Sequence, residues 1–240
     1  MREKMHICIE RLRRAKPAKS LMLVGLRGVG KTVLLDQMLK DAEAAGALTI
    51  RIEAPEEKSL PAALVPQLRL GLLKLSLGEK SKVTAIRALR ALAGFVGKMK
   101  MVYNDIEVGI DFDPEPGLAD NGDLEGDLTA LLEQVGRAAR DGETVVAIFI
   151  DELQYVAESQ MGALISALHR CAQLQLPLVV AGAGLPQVPA RMGNAKSYAE
   201  RLFEFPAIGP LEAADAAAPD QKRHDLESNP WRHGIHRAAL

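Results

Sequence analysis

Residues 25–32, Gly25-Leu26-Arg27-Gly28-Val29-Gly30-Lys31-Thr32, fit the pattern G-x-x-x-x-G-K-[ST] in full. The chemistry that suits this spacing is the grip of a polyphosphate. Three glycines let a backbone turn bring its N–H groups against phosphate oxygens, where a Cβ would obstruct the approach. The start of the following helix adds unpaired N–H groups and the positive end of its dipole. Lys31 is expected to reach the β- and γ-phosphates and the Thr32 hydroxyl to ligate Mg²⁺, with the cradle running from Gly25 through Val33.

A second candidate set lies 120 residues on. Residues 144–150 carry no charge and end in Asp151-Glu152. Such a run reads as a strand buried on both faces, as in a parallel sheet. Its C-terminal end is where open α/β sheets place their ligands. Asp151 is expected to hold Mg²⁺ through water, and Glu152 to act as the general base that takes a proton from an attacking water. A strand that simply ends in solvated acids is the plainer alternative, weakened by the complete glycine loop upstream.

These groups must be positioned by a sheet. Residues 20–24 read as a buried strand leading into the loop, and Leu34, Leu35, Met38 and Leu39 recur at helical spacing after it. Residues 47–52 suit a second strand, with Arg51 and Glu53 at its exit. A long excursion follows at 54–143. Ser59 is expected to cap a helix that Pro66 kinks or breaks. Residues 85–99 read as helix, and Ile106, Val108, Ile110 and Phe112 alternate with polar residues or glycine as in a strand. Leu124 to Val135 return to helical spacing. Residues 161–171 form another helical stripe with Cys171 in the core, residues 176–182 the next strand, and residues 205–208 the last one. The expected class is α/β, a three-layer αβα fold with a mostly parallel central sheet.

The chain has 240 residues, 30 Lys+Arg against 31 Asp+Glu and a formal net charge of -1, which excludes a globally basic nucleic-acid binder. The charge is uneven along the sequence. Residues 1–40 hold ten cations against three acids, and residues 104–133 hold ten acids and no cation. The first stretch suggests a basic N-terminus facing phosphates, whereas the second suits cations, basic partners or a solvated face. Two cysteines make no disulfide framework, and no apolar run approaches the ~18 residues that span a bilayer. The apolar stretch at 5–9 is too short for a signal peptide, so a cytoplasmic setting without membrane partners is expected.

The two nucleotide motifs together resemble the additional-strand P-loop ATPases, the AAA+ class in particular. The phrases GLRGVGKTVLL, RIEAPE, GIDFDPEPGLADNGDLEGDL, FIDELQYV, GAGLPQ and SYAERLFEFPAIGPL resemble bacterial ATP-binding proteins allied to the origin-recognition and STAND ATPases. The resemblance covers about residues 16–211. It implies ATP as ligand, Mg²⁺ as cofactor, and an ATPase that drives or switches a protein partner or self-associates through its nucleotide face. It also implies that Arg201, just before the last strand, reaches a neighbouring subunit's γ-phosphate. A surface arginine paired with Glu200 or Glu204 is the alternative.

The sequence departs from this class in three places. At the end of the strand at 176–182, where a polar sensor residue is usual, the position falls in Ala181-Gly182-Ala183-Gly184, with Gln187 the first amide beyond. The Gly-Arg element before the loop is missing, so preference for adenine rests on the resemblance, and the basic residues 7–14 are left to cover part of the base. After Leu211 no helical lid is recognisable. Residues 212–240 read as a poorly ordered tail, in which His233 and His236 have no carboxylate or thiolate beside them. The implied organisation is a basic helix at 1–15, an ATPase core at 16–211 enlarged by the insertion at 54–143, and this tail. Two rival functions stay open: a nucleotide-binding switch with little hydrolysis, and a DNA-associated helper ATPase, for which no DNA-reading motif is visible.

Overall fold

Alternate residues of the central strands bury on opposite faces, and this sets the layers. The computed structural model describes residues 1–54 and 56–210. The expected tail at 212–240, with His233 and His236, lies outside the described residues. The chain divides into units Met1–Ile208 and Gly209–Leu240, and of the second only Gly209 and Pro210 are described. In the first, β1 (Ser20–Val24), β2 (Leu48–Glu53), β3 (Val146–Asp151), β4 (Leu178–Gly184) and β5 (Phe203–Glu204) form one sheet in the order β2-β3-β4-β1-β5. Every pairing is parallel. On one face Leu21, Leu23, Ala147, Phe149, Val179 and Ala181 pack with Met5, Ile9, Leu35 and Met38 of α1 (Arg2–Arg13) and α2 (Lys31–Ala44). On the other, Met22, Ile50, Ile148, Ile150 and Val180 meet α3 (Leu60–Ser76), α4 (Lys82–Val102), α5 (Leu124–Asp141) and α6 (Glu158–Gln173). Strands buried on both sides make three αβα layers. No described helix is long and apolar enough to cross a membrane.

The regular structure of the insertion is helical, α3, α4 and α5, with residues 103–123 irregular between the last two. Ser59 caps α3 as expected, its Oγ accepting from Ala62 N–H at 3.2 Å. Pro66 does not break α3, which runs on to Ser76. Its buried side, Leu64, Val65, Leu68 and Leu72, holds the helix on the core and outweighs one missing backbone bond. The expected strand at 106–112 does not form: among the described residues the segment has no ladder partner. Ile106 is buried and Val108, Ile110 and Phe112 pack on the core, while Asp105 accepts from Ser59 Oγ (3.0 Å) and Asp111 from Arg69 (3.3 Å). Alternation here reflects a chain laid along α3 and the core, anchored by its acids.

Much of the acidic stretch serves the fold. Asp127, fully buried, accepts from Asn121 N–H (2.9 Å) and Gly122 N–H (2.8 Å). Asp123 caps α5, and Glu115, Glu125 and Glu133 pair with Arg87, Lys196 and Arg137. The last strand also differs from expectation. It pairs at Phe203–Glu204, with one further bridge from Val24 to Ala207, because Pro206 lacks an N–H and can only accept, from Val24 at 3.0 Å.

The basic N-terminus does not face the phosphate loop. Arg2 pairs with Asp41 (2.6 Å) and Arg13 donates to the Ala45 carbonyl, both at the far end of α2 from Lys31. Fourteen residues of helix separate those ends, about 20 Å. Lys4 pairs with Glu204 and Lys19 donates to the Glu200 carbonyl, near the starts of β5 and β1. Met5 and Ile9 are 0% exposed, so α1 is held by its apolar side at the sheet's opposite end, and it cannot cover a base.

Cys8 and Cys171 are free and buried. Burial pushes the Cys171 thiol up to about 12 from the ordinary 9.0. Between those values the unfolded chain loses a proton that the native one keeps. Cys171 therefore stabilises the fold fully below about pH 9 and progressively less as pH rises toward 12. Cys171 is expected to resist alkylation in the native protein at pH 8 and to react once denaturant is added. Equal rates in both states, read by mass spectrometry, would refute its buried placement.

Candidate functional site

All five residues of β1 are buried, and the strand delivers the chain to Gly25, whose N–H donates to the Gly184 carbonyl of β4 at 3.2 Å. A Cβ at Gly25 would run into the backbone carbonyl oxygen of Ile208, so only glycine fits between β1 and the chain after β5. Gly28 (φ 81°) and Gly30 (φ 87°) take left-handed conformations that side chains disfavour. Gly30 thereby turns the loop into α2. That helix has no side-chain cap and no acid in its first turn, which leaves its positive end and free N–H groups open to an anion.

Lys31 folds back over the loop, its Nζ donating to the carbonyls of Gly25 (3.0 Å) and Leu26 (2.7 Å). Thr32 and Val33 are exposed at the first turn. A cavity of about 650 Å³ opens here, lined by Arg27, Gly28, Gly30, Lys31, Thr32 and Val33 from the loop and α2. Glu53 from β2, Glu152 and Tyr155 from the chain after β3, and Leu185 from the chain after β4 complete it. Four parallel strands thus aim their C-terminal ends at one cleft, as open α/β sheets do around ligands.

The acidic pair splits. Asp151 is 4% exposed and stands beneath the cleft rather than in its lining. Its carboxylate accepts from Arg51 at 3.2 Å and from the N–H of Glu152 at 2.9 Å. Arg51 also pairs with Asp36 of α2 at 3.1 Å, tying α2, β2 and β3 together below the site. Glu152 lies in the cleft on a left-handed turn (φ 54°), and Gln154 donates to its Oε2. Arg27 reaches across the mouth to the Tyr155 hydroxyl at 2.9 Å. The hydrogen bond and negative charge of Glu56 push the Tyr155 hydroxyl's pKa upward.

The donor set suits Mg²⁺ bound largely by a nucleotide and water. Thr32 offers a hydroxyl, and Asp151 keeps spare lone pairs after accepting two hydrogen bonds. Among the described residues no cluster of three or more His, Cys, Asp or Glu forms a protein-only cage. Gln187 is exposed outside the cavity, and Arg201 does not reach this cleft. Arg201 is exposed on α8 (Ala199–Leu202), directly before the Phe203–Ser20 pairing at the opposite end of β1. It makes no ion pair among the described residues, since Glu204 is taken by Lys4.

The sequence alone marks no role for Arg51, Glu53, Gln154 or Tyr155. The one signal, for Glu53, is its place at a strand exit, where the sheet pairs it with Asp151. Gln154 and Tyr155 give no such signal, because the turn that points them inward is tertiary.

The AAA ATPase domain family model matches residues 1–181. No curated protein matches the sequence. Among solved structures, the chain is similar to Drosophila ORC bound to poly(dA/dT) DNA and Cdc6, at 9% identity and a TM-score of 0.48, over 94% of this chain and 30% of that one. It is also similar to the Aeropyrum pernix ORC1 protein in complex with DNA, at 17% identity and a TM-score of 0.43, over 89% of this chain and 46% of that one. The chain therefore spans less than half the length of either.

Proposed function

The chain belongs to the AAA ATPase domain family, and from that premise we propose that it holds ATP with Mg²⁺ in the β1–α2 cleft and hydrolyses it to ADP and phosphate. One observation carries the hydrolytic part: Lys31, Thr32 and Glu152 line a single cavity. Backbone N–H groups of the loop and of the first turn of α2 donate to phosphate oxygens. Lys31 leaves the Gly25 and Leu26 carbonyls to pair with the β- and γ-phosphates. Thr32 offers its hydroxyl to the metal directly and Asp151 its carboxylate through water, Arg51 and the Glu152 N–H holding that carboxylate still. Mg²⁺, when bound, offsets negative charge on the phosphates. Glu152 accepts a proton from water as the water oxygen bonds to the γ-phosphorus. The bond from that phosphorus to the bridging oxygen breaks, and ADP leaves with the electron pair.

A second reading, a nucleotide switch with little turnover, is favoured by β4, which ends at Ala183-Gly184 without a polar side chain. In either reading a partner or a second copy docks on the nucleotide face, where Leu26 and Val33 are 67% and 65% exposed. Arg201, at the far end of β1, acts on such a copy's nucleotide and not on its own. Turnover per subunit is then expected to rise with enzyme concentration, and a constant value would remove Arg201 from this role.

The deciding experiment measures ATP binding and phosphate release together on the purified protein with Mg²⁺, with and without DNA. Binding with release supports the ATPase, and binding without release supports the switch. Absence of ATP binding would sink both. Stimulation by DNA that weakens with salt would support the DNA-associated reading.

A further inference from the structure

The turn after β3 brings an amide onto the carboxylate proposed as base. Glu152 takes the left-handed conformation, and Leu153–Tyr155 then form one 3₁₀ turn, closed by Tyr155 N–H donating to the Glu152 carbonyl at 3.0 Å. This turn returns the Gln154 side chain to Glu152. Its Nε2 donates to Glu152 Oε2, and its Oε1 accepts from the Leu185 N–H at 3.3 Å. A carboxylate only accepts and a backbone N–H only donates, so both partners require the same orientation of the amide.

The end of β4 cannot supply such a group. Gly184 has no side chain, and a Cβ there would stand 2.7 Å from Val188 Cγ2 and 3.3 Å from Gln154 Oε1. Leu185, which follows, is apolar. Gln154 is thus the polar side chain that ties Glu152 to the chain leaving β4. Its backbone is fixed independently, because Arg191 donates to the carbonyls of Gln154 and Val156, the latter at 2.7 Å. Among the described residues, Glu152 Oε1 has no hydrogen-bond partner.

We propose that Gln154 is the positioning residue for Glu152, fixing Oε2 so that Oε1 receives the proton of the attacking water. This rests on the reading of Glu152 as general base. The amide takes over from β4 the task of setting the base relative to the γ-phosphate. Displacement of a catalytic group by about 1 Å can cost ~10²-fold in rate.

Gln154→Ala is expected to lower kcat for ATP by about 10- to 100-fold with ATP affinity unchanged. Gln154→Glu keeps the acceptor for Leu185 but sets a second carboxylate against Glu152. It cannot donate to the Glu152 carboxylate, so its kcat is expected to fall as far as that of Gln154→Ala, again with ATP affinity unchanged. A merely structural glutamine would lower kcat, ATP affinity and thermal stability together and would not give this split. Phosphate release, ATP affinity and thermal unfolding, measured for both variants and Glu152→Gln, test this. A kcat in Gln154→Ala equal to or above the parent's, with Glu152→Gln inactive, overturns the positioning role alone. A kcat for Gln154→Glu equal to the parent's also overturns it. A parent protein that binds ATP and releases no phosphate overturns it together with the hydrolytic reading.

Discussion

Glu152→Gln is expected to bind ATP as tightly as the parent protein and to lose turnover by about 10²–10⁴-fold, the range that general-base assistance contributes. The substitution preserves shape and removes the only property the proposed step needs, a carboxylate that takes a proton. The new amide can still accept from Gln154 through its oxygen, so the turn at 153–155 has no reason to open. The binding machinery is untouched, because Lys31, Thr32 and the loop N–H groups reach the phosphates from β1 and α2 while Glu152 approaches from β3. Equilibrium titration with a fluorescent ATP analogue, paired with single-turnover phosphate release, separates the two effects. Equal release rates would remove Glu152 from its role. Loss of affinity in parallel with rate would make it a binding group instead.

That the acidic pair can be placed at the cleft from sequence follows from how plainly buried strands declare themselves. Residues 21–24 and 145–150 are apolar on both faces because helices cover both sides of a parallel sheet. A polar residue at the end of such a run must then mark the exit at the ligand edge. Asp151 and Glu152 were legible for this reason, as were Gly25, Gly28 and Gly30, whose backbone needs leave no other residue type.

The failures have the opposite character. Ile106 to Phe112 alternates like a strand, yet alternation records only that one side of an extended chain faces apolar neighbours. Whether another strand donates hydrogen bonds lies outside the segment itself. The basic residues before the loop share its sequence neighbourhood but not its space. β1 carries the chain from the bottom of the sheet to the top, so charge adjacent in sequence ends at opposite edges. Gln154, two residues beyond the acidic pair, becomes informative only when Glu152 turns left-handed and Arg191 closes on the following carbonyls.

The split of the acidic pair has a physical consequence for binding. Asp151 is held by Arg51, itself shared with Asp36 of α2, so the carboxylate's position depends on the α2–β2 contact beneath the loop. A buried ion pair stabilises less than its geometry suggests, because both partners lose water. Its role here is better described as fixing geometry: the guanidinium holds one carboxylate oxygen while the Glu152 N–H holds the other. Asp151 and Glu152 are therefore joined through one backbone N–H.

Lys31→Ala is expected to weaken ATP binding by about 150-fold, enough to leave most of the variant unoccupied at concentrations that saturate the parent protein. Among the described residues the ammonium satisfies the Gly25 and Leu26 carbonyls, which water can satisfy instead. The variant's own stability should consequently change by no more than about 0.5 kcal/mol. With ATP present the loss is larger, because a cation facing buried phosphate charge contributes about 2–5 kcal/mol when its partner is left behind. ATP at 100 times the dissociation constant stabilises the parent by about 2.7 kcal/mol. A loss of about 3 kcal/mol in affinity would cut that stabilisation to roughly 0.3 kcal/mol at the same ATP concentration. For a domain of this size each kcal/mol moves Tm by about 2–4 °C, so an ATP-induced rise of roughly 5–11 °C should shrink to about 1 °C. Thermal unfolding with and without ATP and Mg²⁺ reads this directly. An unchanged ATP-induced rise would mean that the loop amides alone hold the phosphates, and that Lys31 belongs to the loop's own structure.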